Sequence, residues 1–154
     1  MKANLVLRRE SYLAMIQNAV GANTYRTLYL REGDGVRDIL EDGNLSCAYF
    51  VSSILMHFKL IESPHATVAG TVRDLEAHGW QKAGAPEPGD VLVWEAQEQG
   101  TSGRHTHIGF SLGGEQAVSN STTERVPQQH HFTYGEKDGA PARRITAIYR
   151  FVGI

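Results

Sequence analysis

The chain contains a single cysteine, Cys47, set in Asn44-Leu45-Ser46-Cys47-Ala48-Tyr49-Phe50-Val51-Ser52, where an apolar helix is expected to begin. A thiol in that position can become a nucleophile. The first turn of a helix has unpaired backbone N–H groups and a partial positive charge, which favour thiolate over thiol and leave amides pointing at a developing oxyanion. A nucleophile of this kind needs a base, so the histidines matter. His105 and His107 are two residues apart and would share a strand face, and His130-His131 follow later. Such a set could hold zinc, but the fixed ligand spacings of zinc motifs are missing. The plain alternative for Cys47 is a small buried hydrophobe.

The elements that would position these groups follow from periodicity. Over residues 5–30, Leu7, Tyr12, Met15, Ile16 and Val20 give partial helical spacing, with Gly21 as a stop or break. Arg31-Glu32-Gly33-Asp34-Gly35 and Glu41-Asp42-Gly43-Asn44 are turn-rich, the second leading directly into the cysteine helix. Ser46 or Asn44 is placed to cap that helix, and its interior, Phe50, Val51, Ile54, Leu55 and Phe58, suits a central buried helix. A third helix fits residues 64–78, with Ser63 as N-cap, Pro64 at the first helical position and Gly79 past the end.

After Gly79 the period changes. Residues 85–90 read as a loop feeding a short strand over 91–94, and the polar segment 97–104 reads as a mobile hairpin connection. Residues 105–112, 116–120 and 145–152 read as strands, the first two separated by Gly113-Gly114, while 128–131 reads as an exposed loop. Asp90 follows Pro88-Gly89, a turn in which the aspartate is expected to bond its own backbone. Helices followed by consecutive strands predict α+β with an antiparallel sheet.

Composition narrows the class. With 154 residues, 41% of them hydrophobic and 21% charged, the chain has the make-up of one soluble globular domain over residues 1–154. A net charge of -2 argues against nucleic acid as a partner, since such binders cluster Lys and Arg. One cysteine excludes an intrachain disulfide and an all-cysteine metal site. The stretch from Met1 to Glu10 lacks a signal-type apolar run and no later stretch could span a bilayer. The expectation is a cytoplasmic protein, or one exported by a non-Sec route.

The order of motifs resembles a known family. A cysteine opening a helix, then Pro88-Gly89-Asp90-Val91-Leu92-Val93-Trp94, then His107-Ile108-Gly109-Phe110-Ser111-Leu112-Gly113-Gly114, is similar to the NlpC/P60 and CHAP group of papain-like cysteine peptidases and amidases. The resemblance covers residues 42–120. It implies a papain-like core in which N-terminal helices pack against an antiparallel sheet, with Cys47 as nucleophile and His107 as the base that holds it as a thiolate–imidazolium pair. A third polar residue on the strand after the Gly113-Gly114 turn would orient the imidazole. Asn120 is the best match in type, because amides fill this role in papain-like enzymes, while the family's register as readily selects Ser119. Strand alternation lets only one of the two point at His107.

The same resemblance implies that the Cys47 N–H supplies one oxyanion donor. Ser46-Cys47-Ala48-Tyr49 stands where the family commonly has Asp-Cys-Ser-Gly, so Ser46 changes the pocket floor, and Trp94 is placed to line the cleft. No cofactor is implied. The implied function is a cysteine hydrolase cleaving amide bonds, with a peptide or peptidoglycan fragment as substrate and an inhibitor or immunity protein as a further partner. The other reading is a catalytically inactive module on the same fold that only holds a peptide or another ligand.

Overall fold

The computed structural model describes residues 4–154. Residues 1–3, the beginning of the N-terminal stretch considered above, lie outside the described residues. Helix α1 (Arg8–Asn18) buries Tyr12 and Ile16, one turn apart on a single face, and Gly21 with φ 77° follows its end. The chain then forms a hairpin rather than more helix. Strands β1 (Tyr29–Glu32) and β2 (Gly35–Asp38) pair antiparallel around Gly33-Asp34. Both are exposed along nearly their whole length, so they lack the alternation that marks a half-buried strand.

Helix α2 (Cys47–His57) is the central helix, burying Phe50, Val51, Ile54 and Leu55. Helix α3 (Val68–Ala77) starts four residues later than its sequence predicts, with Thr67 as the N-cap accepting the Gly70 N–H. Long-range bonds hold the preceding segment out of the helix. The buried Asp74 carboxylate accepts the N–H groups of Glu62 and Ser63 and meets His65 Nε2 at 2.6 Å, while Ser52 Oγ accepts the His65 N–H. Gly79, at φ 82°, follows the end of α3 as expected.

The remaining strands are β3 (Gln81–Lys82), β4 (Val91–Glu98), β5 (Arg104–Gly113), β6 (Gln116–Asn120), β7 (Pro127–His131), β8 (Glu136–Lys137), β9 (Ala140–Pro141) and β10 (Ile145–Arg150). Six of them form one antiparallel sheet in the order β3-β10-β4-β5-β6-β7. The architecture is α+β with an antiparallel sheet. Strand β4 runs well past Trp94, pairing Gln97 with His105 and Glu98 with Arg104. The connection expected over 97–104 is therefore mostly ladder, closed by a 3-10 turn at Gly100–Ser102. Residues 128–131 are not a loop but most of β7, an edge strand opened by Pro127, a residue tolerated there because it has no N–H to give.

Alternation divides the sheet into two faces. Val91, Val93, Ile108, Phe110 and Val118 join the helices in the main core, whereas Leu92, Trp94, Ala117 and Ile148 form a smaller cluster on the other face with Phe132. Among the described residues no helix is long and apolar enough to cross a membrane.

Candidate active site

Cys47 is the first residue of α2. Ser46 occupies the N-cap without a side-chain capping bond, and its hydroxyl is buried with no hydrogen-bond partner among the described residues. Fully enclosed, Ser46 does not form a pocket floor. The thiol lies against the peptide joining His107 to Ile108. Burial pushes the Cys47 pKa up, against the opposing pull of the N–H groups of Ile108 and Ala48, the Arg143 charge and its own N–H.

His107 stands on β5 opposite Trp94 of β4. Its Nε2 is 2.9 Å from Ser119 Oγ, so the hydrogen bond expected of Asn120 is made by Ser119. The cause is register. Gly109 is paired directly with Ser119, which places Ser119 on the His107 face and Asn120 on the helix face. There the Asn120 amide donates to the Gly43 carbonyl at 2.8 Å, just ahead of α2, and its Oδ1 is buried without a partner among the described residues. A Cβ on Gly109 would come within 2.6 Å of the Val118 carbonyl oxygen and 2.7 Å of Ser119 Cβ. Glycine at this position is what lets Ser119 close on the imidazole.

Behind Ser119 the network continues. Its Oγ is 2.7 Å from His130 Nε2 and 2.8 Å from the Tyr134 hydroxyl. The His130 and Tyr134 rings stack with centroids 4.0 Å apart. Trp94 packs beside His107, His130 and Tyr134 and donates its indole N–H to the Phe132 carbonyl. It is wholly buried, so it supports the imidazole and does not line the cleft. Burial, reinforced by the Arg143 charge, pushes the His107 pKa down to about 3. Both groups are thus neutral at rest, where the resemblance implied an ion pair.

Cys47 and His107 open into the same cleft of about 520 Å³. Leu30 and Ile39, from β1 and the end of the hairpin, form part of its wall, with Thr67 and Val68 at the start of α3. Gln99 fixes the segment between β4 and β5 by donating to the Asn44 carbonyl at 2.8 Å. A second pocket of about 270 Å³ on the Ser119 side is lined by His130, Tyr134 and Arg143. Arg143 braces this region by donating to the carbonyls of Glu95 and His105. His130, Tyr134 and Arg143 also belong to this site, though no motif in the sequence ties them to His107. His130 reaches the site through the pairing of β6 with β7, which puts it opposite Ala117, on the Ser119 face, and β7 has no hydrophobic alternation to announce that pairing.

The other histidines do not converge. His105 Nε2 meets the Ser102 carbonyl and His131 Nδ1 meets Thr133. Among the described residues no group of three or more His, Cys, Asp or Glu side chains is placed to hold a metal ion. Comparison of the sequence with protein-family models gives no match, and comparison with curated proteins gives none either.

Proposed function

We propose that the protein is a cysteine hydrolase of amide bonds, built on an NlpC/P60- or CHAP-like version of the papain-like fold. One observation carries the reading. The only thiol of the chain sits at the N-terminus of the central helix, sharing a cleft with a buried histidine whose Nε2 is held by a hydroxyl. The order of a cysteine helix, a Pro-Gly-Asp turn and a histidine strand supports the same family.

In this reading His107 Nδ1 takes the Sγ proton as sulfur attacks the substrate carbonyl. The resulting oxyanion meets the N–H groups at the start of α2. His107 then gives that proton to the leaving nitrogen, the C–N bond breaks, and a thioester with Cys47 remains. Water, deprotonated by His107, releases the acid and restores the thiol. Starting from a neutral pair, His107 acts as a base during attack and stores no thiolate beforehand. Ser119 orients the ring. The resemblance directs the substrate class to short peptides of the bacterial cell wall.

The second reading, an inactive peptide-binding module, draws on the neutral state of the thiol and imidazole. Incubation with purified peptidoglycan fragments and mass spectrometry of newly freed amines separates the two. Release by the wild type, abolished in Cys47→Ala, is the expected result. Fragments bound but returned intact by the wild type would overturn the hydrolase reading in favour of the binding module.

A further inference from the structure

The hydrogen bonds behind His107 determine where each proton in the network sits. His130 Nδ1 is 2.8 Å from the His131 carbonyl, which can only accept, so Nδ1 carries a proton. Burial pushes the His130 pKa down and keeps the ring neutral, leaving Nε2 as a lone-pair acceptor. Ser119 therefore donates its one hydroxyl proton to His130 Nε2 at 2.7 Å. The Ser119 oxygen is left with two lone pairs and two remaining neighbours, the Tyr134 hydroxyl at 2.8 Å and His107 Nε2 at 2.9 Å. Both must donate. His107 thus carries its proton on Nε2, and its Nδ1 is the free base.

We propose that His130, acting through Ser119, is a positioning residue that sets the tautomer of His107, with Tyr134 as the second donor that completes the Ser119 oxygen. The inference rests on the reading of His107 as the base. Removal of the His130 acceptor leaves the Ser119 proton two lone pairs in reach, the Tyr134 oxygen at 2.8 Å and His107 Nε2 at 2.9 Å, of which the imidazole nitrogen is the more basic acceptor. Donation in that direction moves the imidazole proton to Nδ1, where it blocks transfer from the thiol. With His130 present, the S–H bond breaks, its electron pair stays on sulfur and the proton forms a bond to Nδ1. The Nε2–H stays on Ser119 and no further proton moves. Every dipole in the chain from the His131 carbonyl to Ser119 presents its negative end toward His107, so the bonds reinforce one another as the imidazolium forms. The Tyr134 ring, stacked on His130 at an interplanar angle of 14°, holds the acceptor in plane.

Long-range proton–nitrogen correlation spectra of the histidine rings test this without any substrate. Expected are an Nε2–H tautomer for His107 in the wild type and in His130→Gln, whose amide oxygen can accept the same proton. His130→Leu is expected to show the Nδ1–H form. Cys47-dependent turnover in His130→Leu is expected to fall roughly 10²–10⁴-fold in kcat with KM little changed, with recovery in His130→Gln. An Nδ1–H tautomer in the wild type, or an Nε2–H tautomer kept in folded His130→Leu, would overturn the proposal. If His130→Leu does not fold, an Nδ1–H form in His130→Gln does the same. The predicted tautomers in a protein that hydrolyses nothing would uphold the relay and sink the hydrolase reading alone.

Discussion

Acid is the perturbation to which this site should respond most. His107 is 4% exposed and has its pKa pushed from 6.5 to about 3, while in the unfolded chain it titrates near its ordinary value. Between those values the unfolded state binds a proton that the folded state refuses, so stability falls as pH falls. The contribution is intact above about pH 6.5, declines by about 1.4 kcal/mol per pH unit below it, and levels off near pH 3. From pH 7 to 4.5 the loss is about 2.5 kcal/mol, a large part of the 5–15 kcal/mol typical of a domain. Asp38, Asp42 and Asp74, whose carboxyl pKa values are lowered, add their losses mainly below this window.

The comparison protein is His107→Gln, whose amide can still bond Ser119 but cannot titrate. Urea unfolding followed by tryptophan fluorescence at pH 7, 6, 5 and 4.5 gives the stability of each protein. Trp94, buried beside His107, reports the site. The wild type should lose about 2.5 kcal/mol more than His107→Gln across the series. Equal pH slopes for the two proteins would mean that His107 titrates alike folded and unfolded, and would refute the account of a buried neutral imidazole.

Three further outcomes follow from the same geometry. Burial of the Cys47 thiol implies slow alkylation by iodoacetamide at neutral pH, climbing only above about 8.5, where a free cysteine is half ionised; fast labelling at pH 6 would show a stored thiolate instead. Gly109→Ala forces a Cβ to within 2.7 Å of Ser119 Cβ and should cost about 1–3 kcal/mol, read as a Tm lowered by several degrees in calorimetry; an unchanged Tm would show that β6 yields freely. Asp74→Ala strands the N–H groups of Glu62 and Ser63 and should cost about 3 kcal/mol, visible as a lower urea midpoint, whereas an unchanged midpoint would mean that the segment before α3 finds other partners.

The legible parts of the fold are those where local chemistry and tertiary structure agree. The start of α2 at Cys47 followed from a turn-rich run meeting an apolar one, and β6 over 116–120 followed from the glycine turn before it. The illegible parts are held from a distance. Pro64 is a good first helical residue, yet Asp74 captures the N–H groups of its neighbours and delays α3 to Val68. Strand β7 is Pro-Gln-Gln-His-His, a run with no hydrophobic alternation, and becomes a strand because β6 offers it a free edge. The β1–β2 hairpin is exposed along nearly its whole length and so left no pattern to read.

The choice between Ser119 and Asn120 turns on one residue of register. Counting back along the β5–β6 ladder from the Gly113–Gln116 pair, an unbroken hairpin would set Gly109 opposite Asn120 and turn that amide toward His107. The ladder instead shifts between Ser111 and Gly113, with Leu112 as the extra residue, and Gly109 meets Ser119. The Pro-Gly-Asp turn lies against this irregularity. The Gly89 N–H donates to the Ser111 carbonyl, the Ser111 N–H donates to the Asp90 carbonyl, and a Cβ on Gly113 would strike Pro88 at 2.8 Å. Asp90 closes its own turn by accepting the Glu87 N–H and is clamped by Arg150. The two motifs that read as separate signatures are thus one device, in which the turn at 88–90 braces the bulge and the bulge presents a hydroxyl rather than an amide to the histidine. That substitution matters chemically. A serine oxygen can receive the His107 N–H while passing its own proton to His130, and on the proposed reading this is how a second histidine sets the tautomer of the base without bonding to it.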